Sequence, residues 1–159
     1  MHNDAPKLLE TLWQLQKDPD FNAGDILLKT ELSADEGQAL QVQLLERWQN
    51  EGEALGGWKI GMTSGESRDA LGPGIRPFGF VLASRMLPSG TDIPRAQLFR
   101  GGVEHELCFI VDSPLGENAT AESAQAAVRR AAPGSEINHK RLPPKCNAGV
   151  RLADTRSNW

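Results

Sequence analysis

The sequence predicts an α/β fold of α+β character, with an N-terminal helical layer ahead of a mixed, β-rich core. Three observations carry this reading. Apolar residues recur at helical spacing through the first fifty positions. Short apolar segments bounded by glycine and proline take over from Trp58. The 16 glycines and 10 prolines among 159 residues suit a loop-rich chain better than a bundle of helices. We place a helical region at 1–57 and the first part of a β-rich domain at 58–159.

Leu8, Leu9, Leu12, Trp13 and Leu15 form one helical stripe over 5–17. Asp18-Pro19-Asp20 ends it, because a residue before proline avoids the helical region. Ser33-Ala34-Asp35-Glu36 is a capping box, in which hydroxyl and carboxylate each satisfy a free amide of the first turn. The helix it opens runs to about Asn50, with Leu40, Leu44 and Trp48 on one face. Segments 58–62, 78–82 and 103–111 read as strands, separated by the turns Gly72-Pro73-Gly74, Pro88-Ser89-Gly90 and Gly101-Gly102. Thr120 caps a short helix over 121–131. A strand begins near Glu136, 142–149 is a loop, and Val150 with Leu152 hints at a last strand. Trp13 and Trp48 read as packing residues, and Cys108 as a core thiol.

Composition excludes several classes. No apolar run approaches the roughly 20 residues of a membrane span, and MHNDAPKLLE lacks the apolar core of a secretion signal. Two cysteines make no disulfide scaffold and no compact zinc motif. The expectation is a cytoplasmic protein with reduced thiols and no membrane partner. The net charge of −4 divides unevenly: residues 129–159 carry +5 and the first 128 carry −9. The basic segment holds Trp159 as its one aromatic residue, so it reads as loops facing acidic groups or an anion, not as a nucleic-acid surface. Phosphate-binding loops, HExxH and the G-x-S-x-G elbow are absent from the sequence.

The chemistry concentrates in Glu104-His105-Glu106-Leu107-Cys108-Phe109-Ile110-Val111. Side chains alternate along a strand, so Glu104 and Glu106 share a face and His105 takes the other. Both faces turn apolar toward Val111, as in a strand entering the interior. Two adjacent carboxylates repel, so one takes a proton or a cation sits between them. A hard divalent ion with oxygen ligands answers that need, and two solvated carboxylates on an edge strand is the plain alternative. Glu136, in Gly134-Ser135-Glu136-Ile137-Asn138, would complete an oxygen triad with positions open for a chelating substrate. Lys59 lies in a short apolar strand flanked by glycines, so its ammonium must reach solvent or meet an anion. Thr63 and Ser64 follow it with hydroxyls and backbone amides suited to a carboxylate.

GWKIGMTS (57–64), PFGFVL (77–82), the Ser89–Ile93 turn, VEHELCFIV (103–111), SEINHKR (135–141) and LADTRSNW (152–159) occur in an order that resembles the fumarylacetoacetase-like family. The similarity is to its branch of 2-keto-4-pentenoate hydratases and 4-oxalocrotonate decarboxylases, and it covers the chain from about residue 33. It implies a fumarylacetoacetase-type core in which Glu104, Glu106 and Glu136 bind Mg²⁺ (or Mn²⁺). It implies Lys59 as the active-site lysine and Thr63, Ser64, Asp154 and Ser157 as substrate-binding residues. The implied activity is a hydro-lyase acting on 2-hydroxypenta-2,4-dienoate in aromatic-compound catabolism. The alternatives are a carboxy-lyase of the 4-oxalocrotonate type, or an inactive subunit that serves only in association. C–C hydrolysis ranks lower, because His2 is terminal, His105 faces away from the carboxylates and His139 is off-pattern. The partners implied are a small 2-oxo or 2-hydroxydienoic acid and further copies in a homo-oligomer, or a hydratase–decarboxylase complex. After Glu136 only Arg141 keeps the family's acidic-serine-arginine run, and Thr155 replaces the usual asparagine of the late segment. Members of the family continue past the equivalent of Trp159 through strands that complete the core.

Overall fold

The computed structural model describes residues 5–18, 20–98, 101–139 and 141–154. Helix α1 spans Ala5–Lys17, α2 Ile26–Lys29 and α3 Ala34–Asn50. Strand β1 is Leu55–Ile60, β2 Phe78–Leu82 and β3 Gly102–Val111. Helix α4 (Ala121–Ala127), strand β4 (Val128–Asn138) and helix α5 (Ala148–Ala153) complete the order. Among the described residues, β1 pairs with β2 and β3 with β4, in two antiparallel two-stranded sheets.

The helical layer forms where the apolar stripes require it. Ser33 accepts from the Glu36 amide, and the Glu36 carboxylate accepts from the Ser33 amide, so α3 starts with both orphan donors satisfied. Leu8, Leu12 and Leu15 of α1 meet Leu40, Leu44 and Leu45 of α3, with Phe80 and Leu82 of β2 and Val150 and Ala153 of α5 closing the same core. Trp13 and Trp48 stack at a tilt, 4.7 Å between centroids, and the Trp48 indole donates to Gln16 at 2.7 Å. Leu44 is fully buried. Leu44→Ala is expected to cost about 2–5 kcal/mol in urea melts, the usual range for a leucine cavity.

Glutamine side chains on α3 couple this layer to the sheet. Gln38 accepts from the Phe78 amide at 2.9 Å and donates to its carbonyl at 3.1 Å, acting as a substitute neighbouring strand. Buried Gln41 donates to the carbonyls of Phe78 and Leu152, at 2.9 and 2.7 Å, and so ties α3, β2 and α5 together.

Several expectations need correction. The capped helix at Thr120 stops at Ala127, and the chain passes directly into β4, so Glu136 lies near the end of a strand rather than its start. The segment holding Val150 and Leu152 is helix α5. Asn147 decides this, its side-chain oxygen accepting from the amides of Gly149 and Val150 as an N-cap. β1 begins earlier than expected and ends at Ile60. Met62 then takes a left-handed conformation (φ 54°), which turns the chain away from the ladder. Helix α2 lacks any signal that the sequence pattern offered.

The largest departure concerns β3. It does not enter an interior: every residue from Val103 to Val111 is exposed, Leu107 at 61% and Phe109 at 56%. Cys108 is exposed and Cys146 is the buried thiol. Strand pairing accounts for one edge of β3, but no layer packs over its faces among the described residues. A two-stranded ribbon alone is marginally stable in water. Backbone amides of β3 and β4 should therefore exchange with deuterium well before those of α1 and α3, and equal protection would contradict this reading.

Candidate active site

The β3–β4 register assembles the acidic residues. Glu104 stands directly opposite Glu136, Glu106 opposite Gly134, and Gly102 opposite Asn138. Directly paired residues share a face, as do residues two apart along a strand. Glu104, Glu106, Glu136 and Asn138 therefore lie on one face of the ribbon, and His105, opposite Ser135, is on the other. Like charges directly opposed destabilise a sheet unless something intervenes.

Two groups intervene here. Lys59 reaches across from β1 and places Nζ 2.9 Å from Glu136 Oε1. The Asn138 amide donates to Glu104 Oε1 at 2.6 Å. The Lys59 and Glu136 side chains retain 29% and 15% of their exposure, so this ion pair is well shielded from water. Burial is the main force raising the Glu136 carboxyl above the usual carboxylate range, and the Glu104 and Glu106 charges add to it. Hydrogen bonding and charge attraction from Lys59 offset part of that rise.

Lys59 is held in register by pairing with Gly79, while its neighbour Trp58 packs edge-on against Phe78 at 5.6 Å. The ladder extends one step further through the Gly61 amide to the Pro77 carbonyl, at 2.8 Å. Thr63 and Ser64 then follow in an exposed loop. Asp154 sits elsewhere, buried at the end of α5. Its Oδ1 is 3.5 Å from the Gln16 amide nitrogen, and its charge acts on Arg85 and Arg141. Ser157 lies outside the described residues. The structure thus brings Lys59, Glu104, Glu106 and Glu136 to one locus and sets Asp154 against the helical layer. Sequence reasoning missed Asn138. Its position two residues beyond Glu136 on the same strand face was the available signal.

Carboxylate oxygens are the donors that hard divalent cations prefer, and the buried amide oxygen of Asn138 has no hydrogen-bond partner. This donor set fits such an ion. As the side chains stand, no three His, Cys, Asp or Glu among the described residues close into a metal-binding group. Lys59 occupies Glu136 and Asn138 occupies Glu104 instead.

The raised Glu136 carboxyl has a consequence for stability. A group whose pKa is higher folded than unfolded contributes stability that is fully present below the unfolded value and lost as pH rises through the folded one. In a chelator-containing buffer, the wild-type stability advantage over Glu136→Gln should shrink as pH rises from the ordinary glutamate range through the raised value. An advantage that grows with pH would refute the assigned direction.

The fold has solved counterparts. A structure of 4-oxalocrotonate decarboxylase from Pseudomonas putida G7, complexed with magnesium and adipate, superposes with a TM-score of 0.75 at 18% identity. That match covers 96% of this chain and 60% of the other. Over this span the chain has the fold of 4-oxalocrotonate decarboxylase. A second structure of the same decarboxylase, complexed with calcium and acetate, gives a TM-score of 0.73 at the same identity and coverage. The chain therefore spans about three fifths of the decarboxylase's length. No protein-family model and no curated protein matches the sequence. Among the described residues no helix is long and apolar enough to cross a membrane.

Proposed function

We propose that this chain carries the acid–lysine site of a divalent-metal-dependent lyase acting on small 2-hydroxydienoic or 2-oxo acids. Our first reading is a hydratase of 2-hydroxypenta-2,4-dienoate in aromatic-compound catabolism. The observation that carries it is the meeting of Lys59 with Glu136, 77 positions apart, beside Glu104 and Glu106 on one sheet face. The decarboxylase fold, seen elsewhere with magnesium or calcium, supports a carboxy-lyase as the second reading.

Glu104, Glu106 and Glu136 would hold Mg²⁺ or Mn²⁺. Bound there, the ion would supply Lewis-acid stabilisation of negative charge developing on a substrate oxygen. Lys59 is the group placed to hold or move a proton, at Nζ. Its partly buried ammonium is fixed by one carboxylate and can face an anionic substrate. Thr63 and Ser64 would bind the substrate carboxylate through hydroxyls and amides, with Ser157 in the implied substrate-binding set, whereas buried Asp154, engaged with Gln16, would not reach the substrate. A homo-oligomer, or a hydratase–decarboxylase complex, is the assembly this reading carries.

The test combines Mg²⁺ with 2-hydroxypenta-2,4-dienoate or a 2-oxo acid such as 4-oxalocrotonate. Loss of dienoate ultraviolet absorbance without CO₂ supports the hydratase, and CO₂ release supports the decarboxylase. A folded protein that binds Mg²⁺ and does neither points to an association role. Lys59→Ala is expected to abolish whichever turnover is found.

A further inference from the structure

We propose that Asn138 is a positioning residue for Glu104, holding that carboxylate in place to receive a divalent cation. The proposal rests on the metal-site reading above and extends it to a residue outside the acidic triad. Asn138 is 5% exposed at the end of β4, while the carboxylate it serves stands on an exposed strand. Its Nδ2 donates to Glu104 Oε1 at 2.6 Å.

An amide suits this task for a chemical reason. It fixes one carboxylate oxygen by donation yet carries no charge, so the carboxylate keeps its full attraction for a cation. A lysine in the same place would compete with that cation. The surroundings are cut to fit. Gly102 stands opposite Asn138, and a Cβ there would lie 3.1 Å from Asn138 Oδ1, so the absence of a side chain makes room for the amide. Oδ1 itself is buried without a hydrogen-bond partner, so the donation from Nδ2 to Glu104 is the hydrogen bond that this side chain makes. Partners that orient a metal's carboxylates typically change metal affinity 10–100-fold when removed.

The experiment is a Mn²⁺ titration followed by electron paramagnetic resonance, with thermal melts in chelator run alongside. The chains compared are wild type, Asn138→Leu and Gly102→Ala. Asn138→Leu is expected to raise the Kd for Mn²⁺ about 10–100-fold. Gly102→Ala keeps the amide but displaces it, and should raise the Kd by a smaller factor. A purely structural role would move the melting temperatures and leave the Kd of the folded protein alone. Wild-type affinity in both variants overturns the positioning role while the metal site stands. A wild-type chain that binds no Mn²⁺ overturns both. If Asn138→Leu does not fold, Gly102→Ala decides.

Discussion

Gly37→Ala is expected to cost about 3 kcal/mol, at the upper end for forcing atoms into a packed interior, and Gly149→Ala at least as much. In α3, a Cβ on Gly37 would drive into the backbone carbonyl of Gly149. In α5, a Cβ on Gly149 would meet the carbonyls of Leu32 and Ser33. Both obstacles are backbone, so no side-chain rotation relieves them. The contact also lies beside the Asn147 cap that starts α5, whose side-chain oxygen accepts from the amides of Leu32, Gly149 and Val150. Moving α5 outward would break the Leu32 bond to Asn147 and the Gln41 bridge to Leu152. Urea denaturation of the two variants gives the answer directly. Melts within 0.5 kcal/mol of wild type, the ordinary range for an innocuous surface change, would show that α3 and α5 do not meet in this way.

Lys59→Met and Glu136→Gln are expected to shift Mg²⁺ affinity in opposite directions. Glu136 Oε1 is held by an ammonium that a metal ion must displace or tolerate. Removing the lysine takes away a competitor and a like charge, so Mg²⁺ should bind more tightly even though turnover is lost. Removing the Glu136 charge takes away an oxygen donor and leaves Lys59 unpaired in a partly buried place. Its Kd should rise by more than the 10–100-fold typical of outer-shell changes. Wild-type binding should also strengthen as pH rises through the raised Glu136 value, because only the ionised carboxylate attracts the cation. Calorimetry on the three proteins checks these signs. Weaker binding in Lys59→Met would mean that the lysine supports the metal instead of contesting it.

Local signals were sufficient for α1 and α3. The Ser33–Glu36 box, the leucine spacing and the stop at Asp18 each depend on neighbours within a turn or two, and each forms as its residues require. β2 was legible for the same reason, as a short apolar run between turn residues. Signals failed where a competing cap or a partner strand decided. Val150 and Leu152 have strand-like spacing, but the Asn147 oxygen captures two amides and starts a helix. Residues 128–131 continue a helical composition, yet Val128 and Arg130 pair with Val111 and Ile110. Cys108 has the chemistry of a core residue, but its strand gains a partner at one edge and, among the described residues, no cover on its faces.

The sequence alone determined that Glu104 and Glu106 share a face, because side-chain alternation is a property of any extended strand. It also narrowed Lys59 to two choices, solvent or an anion, since an ammonium on a short apolar strand cannot stay buried alone. Only the tertiary structure decided that the anion is Glu136, that Glu136 stands opposite Glu104, and that Asn138 holds Glu104. The physical reason is register. Which residues of two distant strands face each other depends on how the whole ladder pairs, and a slip of one position would send every one of these groups to the opposite face.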